Sequence, residues 1–118
     1  MSKTIGQAKV TIGGKSRPIK FGTNATHLFC NKRGIKLNEF NDLFSPQRLQ
    51  AMEIDGSEIR DLIWAGLAAA CYSLGQEVDF NEWTVGDWID EMTEDDMATV
   101  LGVFGDDIQT KKKTGKAK

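Results

Sequence analysis

The segment Glu58–Leu74, EIRDLIWAGLAAACYSL, constrains this chain more than any other. It reads as a helix. From Leu62 to Tyr72 no side chain is charged, and apart from the Trp64 indole N–H and the Cys71 thiol the one polar side-chain group is the Tyr72 hydroxyl. A helix that is apolar on every side must be surrounded, either by its own domain or by a partner. A chain of 118 residues has few elements with which to surround it. The pattern therefore points to a protein that holds another hydrophobic chain or its own copies.

The length fits one domain with one modest core. The first twenty residues hold no continuous apolar run of the secretory kind. The Leu62–Tyr72 run falls far short of the roughly 20 residues of a membrane span. The expectation is a soluble, cytosolic protein with no membrane partner. Cys30 and Cys71 stand alone, with no CxxC spacing, and read as reduced core residues. The net charge of −2 hides an asymmetry. Residues 1–52 hold nine Lys and Arg against two acids, whereas residues 53–110 hold fifteen acids against Arg60 alone. Five lysines follow in KKKTGKAK. A chain polarised in this way can attract its own copies head to tail, although solvated outer helix faces also account for such charges.

The expected fold class is mainly α (α+β): a small helical domain over residues 1–106 with an N-terminal β-hairpin at 7–21. Ala8, Val10 and Ile12 alternate with polar residues, as in a half-buried strand. Gly13-Gly14 suits a two-residue primed turn. Pro18 in the return strand cannot donate to a ladder and argues for an edge. Thr23 or Asn24 can cap a helix ending near Arg33, with Gly34 in the left-handed position after it. Leu37, Phe40, Leu43 and Phe44 suggest a short helix. Ser45-Pro46 begins another, through about Glu53. Asp55-Gly56-Ser57 recaps the chain into the apolar helix, and Gly75 ends it. Thr84 caps a helix with Val85, Trp88, Ile89 and Met92 on one face. Thr93, with Asp96 three residues on, opens the last helix, whose inner face is Met97, Val100, Leu101 and Phe104. Residues 107–118 read as a disordered, lysine-rich tail.

Catalytic chemistry is not visible. His27, the single histidine, has no carboxylate or cysteine at metal spacing. The acids from Asp87 to Asp96 do not follow the alternating pattern of a calcium loop. Gly13-Gly14 lacks the context of a phosphate loop. The lysine tail adjoins an acidic half that would repel phosphate, which argues against nucleic acid. The expectation is no enzyme, no cofactor and no metal. What remains is aromatic: Trp64, Tyr72, Phe80, Trp83 and Trp88 fall within twenty-five residues. Trp and Tyr dominate interface hot spots. Trp88 lies on an inward stripe, while Trp64 and Trp83 fit core or interface equally. The candidate partner-binding set is Trp64, Leu67, Tyr72, Phe80 and Trp83.

Three segments in order, GGKSRPIKFGTNATHLFCNKRGI, RDLIWAGLAAACYSLGQEVDF and TVGDWIDEM, resemble the tail assembly chaperones of long-tailed bacteriophages. The resemblance spans about residues 8–105 and lies in order and spacing rather than in any single motif. It implies a mostly helical, non-enzymatic protein that coats the hydrophobic tape measure protein and keeps it soluble until tail tube subunits polymerise. It further implies the tail tube protein as a further partner, residence in the host bacterial cytoplasm and absence from the mature virion; self-association is expected from the apolar helix and the opposed charge halves. Such proteins are often made in a short form and a frameshifted longer form. This chain looks like the short form, and Lys111-Lys112-Lys113 is a candidate slippage point. Two other classes fit the residues: a structural tail subunit of completion or connector type, and a small non-enzymatic adaptor domain.

Overall fold

A computed structural model describes residues 7–51 and 54–116. The element order is β1 (Gln7–Ile12), β2 (Lys15–Lys20), α1 (Thr23–Arg33), α2 (Leu37–Leu43), α3 (Pro46–Ala51), α4 (Gly56–Ser73), α5 (Glu82–Glu91) and α6 (Glu94–Lys116). The expected class is correct: a mostly helical fold with an antiparallel N-terminal hairpin. No helix among the described residues is long and apolar enough to cross a membrane.

The hairpin pairs Ala8 with Ile19 and Val10 with Arg17. Gly13 and Gly14 take φ of +67° and +81°, the two positive values a type I′ turn needs. Val10, Ile12 and Ile19 turn inward and are buried, while Lys9 and Thr11 are exposed. A lone hairpin is marginal in water. Here it is held by β2 against α4 and by β1 against α6.

α4 is the axis of the molecule. Asp55 caps it, and the Asp55 N–H donates to Glu58 Oε1 at 2.9 Å. Leu62, Ile63, Ala65, Gly66, Leu67, Ala68, Ala69, Ala70 and Cys71 are all buried. The helix is thus enclosed by its own domain, the first of the two coverings that an all-apolar helix can have. Small residues make this possible. Ala and Gly leave a thin helix, so β2, α1 and α5 reach it at short range. At Gly66 a Cβ would stand 2.6 Å from Phe21 Cε1 and 2.8 Å from Ile19 Cγ1. The strand and the helix meet there with no room for a methyl group.

Phe21 links this contact to a second packing centre. Phe21, Phe29, Phe40, Phe44 and Phe104 pack mostly edge to face, with most centroid separations between 5.0 and 5.4 Å. Rings so arranged gain about 0.5–1.5 kcal/mol per pair beyond their area burial. Phe21 directly follows β2, Phe29 lies in α1, Phe40 in α2 with Phe44 just after it, and Phe104 in α6, so this cluster closes the fold around one side of α4.

Two caps differ from expectation. Gly22, rather than Thr23 or Asn24, precedes α1, so Thr23 is already helical. Asn81, rather than Thr84, caps α5: Thr84 N–H donates to Asn81 Oδ1 at 2.9 Å, and Thr84 Oγ1 accepts from Asn81 N–H at 3.4 Å. A capping box needs an acceptor three residues on, and Thr84 fills that role instead of the cap itself. Gly34 takes the left-handed position, and Ile35 N–H donates back to Cys30 O at 3.0 Å. Ser45 Oγ accepts from Arg48 N–H at the start of α3; the expected end near Glu53 lies outside the described residues. α6 runs on to Lys116, so the backbone from 107 to 116 is helical rather than an unstructured tail. Gln109 and Lys111–Lys113 are good helix formers, and with no proline after Pro46 they extend the preceding helix.

Gly66→Ala is expected to lower stability by about 1–2 kcal/mol, because overpacking outweighs the gain in helix propensity. Gly102→Ala, in an exposed helical position with open space around it, should instead raise stability by up to about 1 kcal/mol. Urea unfolding of both variants checks the pair; equal effects of the same sign would overturn the close contact at Gly66.

Candidate functional site

The sequence-based candidates separate into three places. Leu67 is 1% exposed and Phe80 9%. Leu67 lies inside α4's own packing, and the Phe80 ring sits 5.5 Å from Trp88. Both are core residues, and their assignment to a partner contact is corrected. Trp64 is half-buried. Trp83 is 68% exposed and Tyr72 61%.

Trp64 and Trp83 belong to one patch where α1, α4 and α5 meet. α4 brings Arg60 and Trp64 to the same side, one turn apart. Lys32, at the end of α1, places its ammonium 4.6 Å from the Trp64 ring centre and 2.9 Å from Glu82 Oε1. The Arg60 guanidinium lies 4.8 Å from the Trp83 ring centre. Its stem runs beside Gly86, where a Cβ would come within 3.3 Å of Arg60 Cδ. Each indole is therefore faced by a cation, worth about 0.5–1 kcal/mol at an exposed site. The Trp64 Nε1–H is fully enclosed and meets no protein acceptor. The Lys32 bond, first among several causes, holds the Glu82 carboxyl below the ordinary carboxylate range. A depressed acid contributes stability above its ordinary pKa, and that contribution is lost as pH falls through the lowered value.

Beneath the patch lies a buried acid. Asp61 is 3% exposed. Arg33 Nη1 donates to its Oδ2 at 2.8 Å and Arg60 Nε to its Oδ1 at 3.1 Å. The same Arg33 rests on the Phe29 ring at 5.6 Å. Arg60 therefore has two tasks: it neutralises Asp61 and supports Trp83.

Tyr72 stands near the other end of α4, next to Leu74, which is 60% exposed. There the hairpin's open end and α4 form a groove of about 280 Å³, lined by Ala8, Lys9, Pro18, Ile19, Ala70 and Leu74 among others. Lys20 Nζ lies 3.3 Å from Ser73 Oγ at its edge. Sequence reasoning missed this groove, because its walls come from residues some sixty positions apart. The exposed leucine just after an apolar helix was the one available signal.

His27 is exposed on α1. Among the described residues no three His, Cys, Asp or Glu side chains could jointly hold a metal ion. Cys30 and Cys71 are free thiols. Burial pushes both up from the ordinary thiol value, with Glu39 adding to Cys30 and Asp79 to Cys71. Raised thiols are poor nucleophiles. Comparison of the chain with protein-family models, with curated proteins and with solved structures finds no match.

Asp61→Ala is expected to cost about 2–3 kcal/mol, since it strips two guanidinium groups of a buried partner. Asp87→Ala, at an exposed position, should stay within about 0.5 kcal/mol of the parent. Thermal or denaturant unfolding measures both. A loss under about 1 kcal/mol at Asp61 would remove it as the electrostatic base of the patch.

Proposed function

We propose that this chain is a tail assembly chaperone of a long-tailed bacteriophage, binding the hydrophobic tape measure protein before the tail tube forms. The observation that carries the reading is the ordered set of three resembling segments. They coincide with the positions on which packing depends. KFG.N spans the end of β2, the Gly22 cap and the start of α1. IWAGL contains Gly66, where Ile19 and Phe21 leave no room for a Cβ on α4. VGDWID carries buried Val85, Gly86 beside Arg60, and Trp88 over the hairpin turn. A short chain that keeps these positions keeps the whole arrangement.

The enclosed α4 moves the client contact away from the apolar helix itself. The side chains able to meet a client are those at its margins: Tyr72, Trp83 and the exposed part of Trp64. The exposed α5 acids Asp87 and Asp90 follow Trp83 on its helix face and give the patch a solvating edge. Rim charge of one sign keeps a coat soluble while aromatic anchors hold the client. The long form would arise by slippage near Lys111–Lys113 and would add a further client-facing segment after α6.

Co-expression with the tape measure protein tests the reading. Tyr72→Ala combined with Trp83→Ala should leave the fold intact, because both side chains are mostly exposed, and should reduce the soluble client by roughly tenfold or more, as loss of hot-spot contacts does. A folded double variant that keeps the client as soluble as the parent does would refute the contact. A parent chain that leaves the client insoluble would refute the function.

A further inference from the structure

The groove at the open end of the hairpin has an apolar lining and a cationic edge, and no described residue fills it. Ala70, Ser73 and Leu74 stand at i, i+3 and i+4 along α4 and its cap and form one wall. Ala8, Pro18 and Ile19 of the hairpin form the other. Ala70 and Ser73 are small, so about 280 Å³ stays open between helix and strands. The cationic edge has a fixed spacing. Gln7 pairs with Lys20 and Lys9 with Pro18. Directly paired residues share a face of a sheet, so Lys9 and Lys20 are diagonal neighbours on the outer face of the hairpin, about 7–8 Å apart at the backbone. Among the described residues neither lysine is in an ion pair. Lys20 reaches Ser73 Oγ, and Lys9 makes no hydrogen bond. Glu77 and Asp79, the acids that follow α4, are exposed and form no ion pair with either lysine.

We propose that this groove docks an acidic amphipathic helix of a partner protein, with aliphatic side chains against Ile19, Ala70 and Leu74 and two carboxylates on Lys9 and Lys20. Acids at i and i+4 of a helix stand about 5–6 Å apart at Cβ. Flexible glutamate and lysine stems close the small difference from the lysine spacing. Charge sets the sign of the occupant: two unpaired ammonium groups repel a basic segment and attract an acidic one. Exposure sets its size. Leu74 lines the groove and is largely exposed, so a small amphiphile would keep much of its surface in water, whereas a small-molecule site encloses about 70–90% of its ligand. A helix laid along the α4 wall needs to bury one apolar stripe and no more. A second copy of this chain fits less well. Its exposed large apolar side chains away from this end are Leu37, which follows Lys36, and Trp83, whose ring carries the Arg60 guanidinium. Either would bring a cation to the lysine edge. The docking does not rest on the chaperone reading, since Tyr72 and Trp83 lie outside the groove lining.

The probe is a rhodamine-labelled helical peptide of about 16 residues, with glutamates at i and i+4 and leucines at i+3 and i+7. Its counterpart carries lysines in place of the glutamates. Fluorescence anisotropy follows the binding of each to the purified chain. The acidic peptide should bind roughly tenfold more tightly than the basic one, and the preference should shrink as salt rises. Lys9→Glu combined with Lys20→Glu should reverse the preference. Lys15→Glu, the same charge change at the exposed turn end of the hairpin, should keep it. Leu74→Asn should weaken the acidic peptide roughly tenfold. Far-UV circular dichroism checks folding, and Ser73→Glu, which sets a carboxylate beside Lys20, replaces Leu74→Asn if the latter loses its helical signal. The proposal is overturned if the acidic peptide fails to bind at about 1 mM, if the two peptides bind alike, if the double reversal keeps the parent's preference, if Lys15→Glu loses it, or if the groove variant binds as the parent does. Sedimentation velocity with and without peptide tests the other occupant. If copies associate through Lys9 and Lys20 and exclude the peptide, the groove belongs to a second copy and the proposal falls.

Discussion

The van der Waals contact of Phe21 and Ile19 with the bare backbone of Gly66 sets the geometry of the molecule. A helix normally needs many neighbours to bury every side. Here Gly66 and four alanines make α4 thin, so one hairpin strand and two helices nearly complete its shell. Phe21 can press on α4 only because Gly66 yields the space. From that position Phe21 also meets Phe104, which joins the α1–α2 phenylalanines to α6. Removing the glycine would push the hairpin out and loosen the phenylalanine cluster with it.

Electrostatics serves this packing at two points. Arg17 donates to Ile12 O at 3.0 Å and lies 4.2 Å from the Trp88 ring centre, so one side chain ties the hairpin turn to α5. Arg33 and Arg60 satisfy Asp61 from two sides and hold α1 to the first turns of α4. Each arginine also rests on an aromatic ring, of Phe29 for Arg33 and of Trp83 for Arg60. The planar guanidinium can form hydrogen bonds at its edge and stack on its face at once. That explains why few basic residues suffice to join so many elements.

Much of the architecture was legible in the sequence. Alternation placed the hairpin, Gly13-Gly14 placed its turn, and the helical stripes placed Val85, Val100 and Phe104 in the core. Each of these signals is local. The misreadings arose where a local signal admitted two outcomes. Thr84 has the chemistry of a cap, but Asn81 stands three residues earlier and takes the position, leaving Thr84 as its reciprocal partner. Leu67 reads as apolar wherever it points, and only the approach of α1 and β2 decides that it faces inward. The apolar helix itself could equally have been covered by a partner, because the sequence does not state how closely small residues let neighbours approach. The groove and the cation-faced indoles depend on pairings such as Ala8 with Ala70 and Lys32 with Trp64. No periodicity encodes contacts at that separation.

The three tryptophans occupy three different surroundings. Trp64 is half-buried with its N–H enclosed and unanswered, Trp88 is stacked under a guanidinium, and Trp83 is largely in water. An indole in water relaxes its excited state by reorienting solvent dipoles, and an enclosed one cannot. The long-wavelength edge of the chain's fluorescence therefore belongs mainly to Trp83, beside Arg60 near the start of α4. The molecule carries its own optical probe there, and whatever covers that indole will announce itself as a shift to shorter wavelength, without any label.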